Sequence, residues 1–478
     1  MRGHDVSDRT IPLGGGGPHS GDCVLYWMQQ SQRARWNHAL EGALRAGATR
    51  RVPVYVLFVL APGYPGANRR SLTFLLEGLR ETARALRERG IGFVLRLGYP
   101  PAEVAALADE IRAGAVYVDA GHLRHQRRWR EEAASLLDMP LLEVETDLVV
   151  PAWAVSDREE PAAWTLRRKI APLLEGYMIS PDEGDPVVDS TALGIMTEDP
   201  GEIEGLLERL GADPSAGALP GTRGGAEAGM LRWRRFLEER LDGYAELSRE
   251  PGEDGTSGMS PWLHFGQVSA LRMALEVREH GGPGAQAFLE QLVVRRELAF
   301  NMVRHRPDYD SWGVVPAWAK ATLKARAGDR REALYGLEEL EAGVTGDEYW
   351  NAAQRELVET GGMHGYMRMY WGKRVIDWSA SPEEAFEHLG LLNDRWALDG
   401  RDPCSRAGIA WCFGKHDRPF GDHPVTGTLR RLGSDLPRMR RDRSSRYNRY
   451  LRRMGGATRG SSTAPDTERG GGAWKPHR

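Results

Sequence analysis

Between Trp350 and Trp411 the chain carries five tryptophans, Trp350, Trp371, Trp378, Trp396 and Trp411, set among arginines, aspartates and short polar residues. Trp371 and Trp378 are seven apart, which in a helix means two turns, one face and roughly 10 Å of rise. An aromatic stripe of this kind is ordinarily core. Its density is unusual, however, and the run Asn393, Asp394, Asp399, Arg401, Asp402 that follows needs either solvent or a ligand for its polar groups. Upstream, Thr256, Ser257, Gly258 and Ser260 collect hydroxyls and backbone N–H groups just ahead of Pro261, a favoured first helical residue. A helix start of this type either caps itself or binds phosphate. Glu290 sits among Phe288, Leu289, Leu292, Val293 and Val294, so it lies either on a solvated stripe or beside a buried polar ligand. Glu297 follows seven residues later, and helical spacing predicts both acids on one face.

Two kinds of scaffold are needed to position these residues. The chain has 478 residues, more than one core usually serves, so two domains are expected. The apolar runs at 23–28, 52–60, 92–98, 115–120 and 141–146 are Val-rich, of strand length and without strict alternation, as in strands covered on both faces. Helical patterns separate them: Leu72, Leu75, Leu76, Leu79, Ala83 and Leu86 recur at helical spacing, with Ser71 placed to cap the start and Gly90 to close the end. The alternation predicts a doubly wound parallel sheet over 22–178, with a ligand crevice at the carboxyl ends of its strands. Neither GxGxxG nor GxxxxGK[ST] follows the first strand, so no phosphate-cradling turn is written there.

Residues 1–21 read as a disordered leader, 179–228 as an interdomain connection rich in Gly, Pro, Asp and Ala, 229–454 as an all-α domain and 455–478 as a disordered tail. Three cysteines, Cys23, Cys404 and Cys412, lack CxxC spacing, which argues against a disulfide scaffold or a thiolate metal site and for a reducing compartment. No metal is expected. No apolar run is long enough to span a membrane. The net charge is -3, but ten arginines between Arg430 and Arg453 against Asp435 and Asp442 leave a local balance of +8. Such a patch either faces a phosphate backbone or forms a solvated, internally paired arginine face.

Several long stretches carry a resemblance. SPWLHFGQVSA, FLEQLVVRREL, YWNAAQREL, MHGYMRMYWGKR and LNDRWALDGRDP, with YWMQQSQRARWNHAL near the amino end, closely resemble the class II cyclobutane pyrimidine dimer photolyases of the photolyase/cryptochrome superfamily. The likeness runs from about Asp22 to about Leu432. It implies a Rossmann-like antenna domain followed by a helical domain holding FAD, and a carbon–carbon lyase that splits cyclobutane dimers in double-stranded DNA by electron transfer from photoexcited, fully reduced FAD to a flipped-out lesion.

By the same resemblance, Tyr244, Thr256, Ser257, Gly258, Met259, Ser260, Asp399, Arg401 and Asp417 hold the flavin, and Asn393 faces its N5 atom. Glu290 contacts the lesion's base edges and steadies the reduced dimer. Trp411 and Met369 line the dimer pocket, and Arg430 lies on the access route, with the arginines beyond it meeting DNA phosphates. Trp371, Trp350 and Trp378 form the photoreduction relay in that order, with Trp378 at the surface and Tyr370 assisting. Where class I enzymes place a tryptophan three residues after the glutamate, this chain has Val293. The antenna crevice is expected to take a deazaflavin, a folate or nothing. The expected setting is a monomer in prokaryotic cytoplasm, associated with the nucleoid. The competing expectations are a cryptochrome-like blue-light receptor without repair, and a flavin-binding DNA-structural protein. Glu290 and Trp411 speak against the first, and the tryptophan set against the second.

Overall fold

The computed structural model describes residues 6–14, 16, 17, 19–192, 194–432, 442 and 444–459. The predicted strands form, with ends trimmed by a few residues: β2 (Cys23–Trp27), β3 (Val54–Leu60), β4 (Gly92–Leu97), β5 (Ala113–Asp119) and β6 (Leu141–Val144) follow a further strand, β1 (Thr10–Gly14). The sheet order is β1-β6-β5-β2-β3-β4. β2 to β6 are mutually parallel, as crossover helices demand. The helix Arg69–Glu88 is capped by Asn68, and Ser71 completes the capping box from its third position rather than starting the helix. Gly90 takes a positive φ of 75° just beyond the end.

β1 corrects the expectation of a disordered leader. It pairs antiparallel with β6, and Arg9 before it is buried, donating to the carbonyls of Leu148, Val149 and Tyr177. Pro12 is tolerated because an edge strand can spare an N–H. The connection 179–228 is likewise anchored. Ser190 Oγ accepts from Gly92 N at 2.8 Å and Thr197 Oγ1 from Leu95 N at 2.9 Å, so the stretch covers the open edge of β4.

Beyond it the chain is helical, including Ala226–Glu239, Ala270–His280, Gly282–Leu289, Arg296–His305, Glu348–Thr360, Gly365–Trp378, Pro382–Trp396 and Pro403–Cys412. A last helix, Arg446–Arg459, runs into the stretch expected as a tail from Gly455; residues 460–478 lie outside the described residues. One apolar core crosses from the sheet (Tyr26, Val56, Phe58) to Trp233, Phe236 and Phe288, and a second encloses the tryptophans. No described helix is long and apolar enough to cross a membrane.

Candidate active site

The helix Gly365–Trp378 carries the chemistry. Its Trp371 and Trp378 pack against Trp350 of the helix Glu348–Thr360. Trp350 stacks on Trp371 with ring centroids 6.1 Å apart and 8° between planes, and meets Trp378 edge-on at 5.7 Å. Hydrogen bonds fix the rings: Trp350 Nε1 donates to Trp371 O and Trp371 Nε1 to Gln354 Oε1, each at 2.9 Å. Trp350 thus lies between the other two. Trp378 is not at the surface, being 3% exposed under the Arg374 guanidinium and against Tyr335. Its cation–π cover and the loop before Gly336 shut it from solvent. Tyr370 is buried and donates to Asp347 Oδ2.

One turn before Trp371, Arg368 forks onto Asp399, with bonds of 3.0 and 3.1 Å. Burial alone would raise the Asp399 carboxyl, but the charge and hydrogen bonds of Arg368, with a bond to Ser260, hold it below its ordinary value. Asp399 and Ser260 thus bring the two sequence motifs together. Burial and the neighbouring Asp399 charge push Asp402 up to about 7. Asn393 is buried and donates to Ser405 Oγ at 2.5 Å. Arg401 takes a positive φ of 68° and donates to Asp394 O, while its Nη2 is buried without a partner. His264 Nδ1 is also buried and unpartnered, and burial, then the Arg401 charge, drives its pKa down to about 3. These two orphaned atoms leave hydrogen-bonding capacity for a polar ligand.

The Thr256–Ser260 stretch leads into a helix start with Pro261 in its first turn, but a short one. The helix there is one turn, Ser260–His264, ended by Gly266 at a φ of 62°. Any phosphate binding therefore falls to hydroxyls and loop N–H groups rather than to a helix dipole. Gly258, at a φ of 61°, is required by close approach: a Cβ there would lie 2.0 Å from the Arg232 guanidinium, whose Nε donates to Ser257 O. Tyr244 is buried against Phe236 and Phe288.

Glu290 and Glu297 do not share a face. Residues Glu290–Arg295 form a π turn, whose i→i+5 bonds fit more residues per turn than an α-helix, so seven residues no longer make two turns. Glu290 remains part exposed and accepts a fork from Arg167 of the helix Ala163–Tyr177, at 2.5 and 3.0 Å. Glu297 is buried, accepting from Val149 N. Val293, where a lesion-clamping tryptophan was looked for, is itself buried. Trp411 lies under Lys373 Nζ, 5.2 Å from its ring centroid. A Cβ on Gly408 would sit 3.8 Å from Met369 Cε, which sets Met369 beside the helix that carries Trp411. Asp417 and Arg430 pair with each other, at 2.9 and 3.1 Å.

Three of the described arginines of the segment are spent internally. Arg446 and Arg449 pair with Glu250, and Arg453 reaches Asp254 and the carbonyls of Pro251 and Glu253. That corrects the expectation of a phosphate-facing row for these three; residues 433–441 and 443 lie outside the described residues.

At the carboxyl ends of β2 and β3 the expected crevice is present. It encloses about 1000 Å³ of space, open mouth included, between Met28, Phe58, Tyr64 and Trp129 of the first domain and Phe300 and Arg401 of the second. Gln29 Nε2 and Gln32 Oε1 are buried there without partners. Sequence reasoning assigned no role to Arg368, Gln354, Arg167, Arg232 or His264. Only Arg368 left a signal, an arginine three residues before Trp371 in an otherwise aromatic stretch with an acidic run still to be neutralised.

A helical domain that joins an aromatic chain to a buried polar centre, behind an α/β domain, defines a photolyase-type fold. The class III photolyase of Agrobacterium tumefaciens superposes with a TM-score of 0.69, covering 91% of this chain and 86% of that one at 17% identity, which speaks to fold alone. A model of the DNA photolyase family matches residues 24–185. The chain is 42% identical over 410 residues to the deoxyribodipyrimidine photo-lyase of Methanothermobacter thermautotrophicus, covering 86% of this chain and 90% of that protein. It is 36% identical over 412 residues to that of Potorous tridactylus, covering 85% and 77%. The chain belongs to the DNA photolyase family.

Proposed function

We propose that this chain is a light-driven DNA repair enzyme, a deoxyribodipyrimidine photo-lyase of class II that splits cyclobutane pyrimidine dimers. The observation that carries the reading is the double use of one helix: Arg368 grips Asp399 in the polar centre, and three residues on Trp371 begins a buried chain of touching indoles. FAD, fully reduced, supplies the light-excited electron donor when bound. The residues fit it. The Thr256–Ser260 loop presents hydroxyls, Asp399 and Asn393 are fixed by Arg368 and Ser405, and Arg401 Nη2 and His264 Nδ1 await partners. Tyr244 and Asp417 complete the set.

The chain's own residues have three tasks. Trp371, Trp350 and Trp378 conduct single electrons between the centre and a point beneath the Arg374 and Tyr335 cover, their spacing fixed by packing. Glu290, Trp411 and Met369 receive the flipped dimer, which must leave the stack at a cost its damaged pairing lowers. Arg430 meets the backbone there, with its charge shared by Asp417. The crevice behind β2 and β3 suits a second, antenna chromophore, a deazaflavin or a folate, and purified protein would then absorb beyond the FAD bands. We place the protein as a monomer in the cytoplasm of a prokaryote, at the nucleoid.

The test is dimer-containing DNA under blue light with a dark control. Loss of dimers only in the light supports the reading. Flavin binding without repair would instead indicate a cryptochrome-like receptor, and neither would sink it.

A further inference from the structure

Trp164 is 57% exposed, and no other tryptophan among the described residues is exposed. It lies on the helix Ala163–Tyr177, on the surface of the α/β domain. Arg168 follows one turn later on the same face, and Arg158 lies in the loop 156–162 before the helix. Both arginines are exposed, and no carboxylate among the described residues pairs with either. Of the nearby acids, Glu160 holds Lys169 at 2.5 Å and Glu159 pairs with Lys415 and Arg306, while Asp157 is exposed and in no ion pair with either arginine. The result is an indole flanked by unneutralised guanidinium groups around a shallow, open depression.

Two links place this surface beside the proposed lesion site. Arg167, three residues after Trp164, forks onto Glu290. From the other side His416 Nδ1 contacts Pro161 O at 3.2 Å, which ties the segment following Trp411 to the wall of the depression. We propose that Trp164, Arg158 and Arg168 are a second DNA contact, on the α/β domain, that grips the distorted strand next to the flipped dimer. The indole stacks on a base left unstacked by flipping, and the guanidinium groups meet two phosphates. Stacking tolerates any base and phosphate contact carries no sequence, so the surface strengthens binding without restricting where a lesion is found. It also supplies an aromatic partner that Val293 cannot. This inference rests on the repair reading above.

Binding of a fluorescently labelled, dimer-containing duplex to the flavin-loaded protein in the dark tests it. Trp164→Ala should raise Kd about tenfold with an unchanged salt slope, as loss of one stacked base does. Arg158→Ala/Arg168→Ala should flatten the slope of log Kd against log salt by about 2, close to one per phosphate. Met196→Ala, at an 86% exposed position on the stretch that covers the β4 edge, should change neither. If wild type binds and repairs but the Trp164 and arginine variants share its Kd and slope, the second contact does not exist. A Trp164→Ala variant that alters sedimentation mass and not Kd would show a protein contact instead, overturning the proposal. A wild type that neither binds nor repairs dimer DNA would remove the repair reading itself, a separate outcome.

Discussion

Trp371→Phe separates packing from electron movement. Phenylalanine fills most of the indole's space but drops the bond to Gln354 Oε1, which is buried. The cost to stability should be about 1–3 kcal/mol, that of an unsatisfied buried acceptor. Photochemistry should suffer far more, because the stacked contact with Trp350 is the link nearest the polar centre on the helix that also carries Arg368. An absorption spectrum under blue light should show oxidised flavin no longer converted to the reduced form. If conversion proceeds at the wild-type rate, these tryptophans are core and nothing else. Glu290→Ala should keep FAD bound and lower the repair quantum yield, and an unchanged yield would remove Glu290 from the lesion contact. At this scale the sequence exposed residue types and spacing: Trp371 with Trp378, Asp399 with Arg401. It could not expose who neutralises whom. Arg368 reaches Asp399 over 31 positions and Arg167 reaches Glu290 over 123, and such pairs leave no periodicity to read.

Elements were legible where periodicity was strong and obscured where local geometry broke the period. The five parallel strands announced themselves as continuous apolar runs because both faces are covered. β1 did not, being a five-residue edge strand, half exposed, with Pro12 inside it and glycines after it. The π turn at Glu290–Arg295 defeated the two-turn argument for the same reason: 3.6-residue counting holds only while the backbone keeps it. The end of the last helix was hidden by composition, since the Gly, Ser, Thr and Pro content from Gly455 onward suggested a disordered tail. What anchors it is the pair Tyr447 and Tyr450, both fully buried, with Tyr450 Oη donating to Glu356 Oε2 at 2.6 Å. Tyr450→Phe therefore strands a buried carboxylate that burial already pushes above its ordinary pKa. A loss of about 1–3 kcal/mol is expected in urea unfolding. A midpoint equal to wild type would mean the helix contributes nothing to the helical domain's stability.

Across the whole molecule the two domains are tied by buried polar groups as well as by a shared core. Arg70 reaches the carbonyls of Trp396 and Val358, Arg296 pairs with Asp147 at 2.5 Å, and Glu297 Oε1 accepts from Val149 N at 2.8 Å. Breaking the Asp147–Arg296 pair from one side should cost about 3–5 kcal/mol, since it leaves a buried charge alone. Glu297 offers the sharper probe. Burial raises its pKa to about 8, partly offset by the Val149 N–H and Arg296. The folded state therefore holds a proton that the unfolded chain releases near its ordinary value of 4.5. Stability from this group is complete below that value and is lost as pH rises through 8. The buried histidines His125, His264, His364 and His416, depressed to about 3 or 4, act oppositely but only below their ordinary 6.5. Between pH 6.5 and 8.5 the fall should thus come from Glu297, with Asp402 adding its part near 7. In thermal melts over that window wild type should lose Tm with rising pH, and Glu297→Gln, which keeps an oxygen for Val149 N, should lose measurably less. Parallel curves for the two proteins would mean that Glu297 is ionised in the folded state and that the joint between the domains is held by charge rather than by a protonated acid.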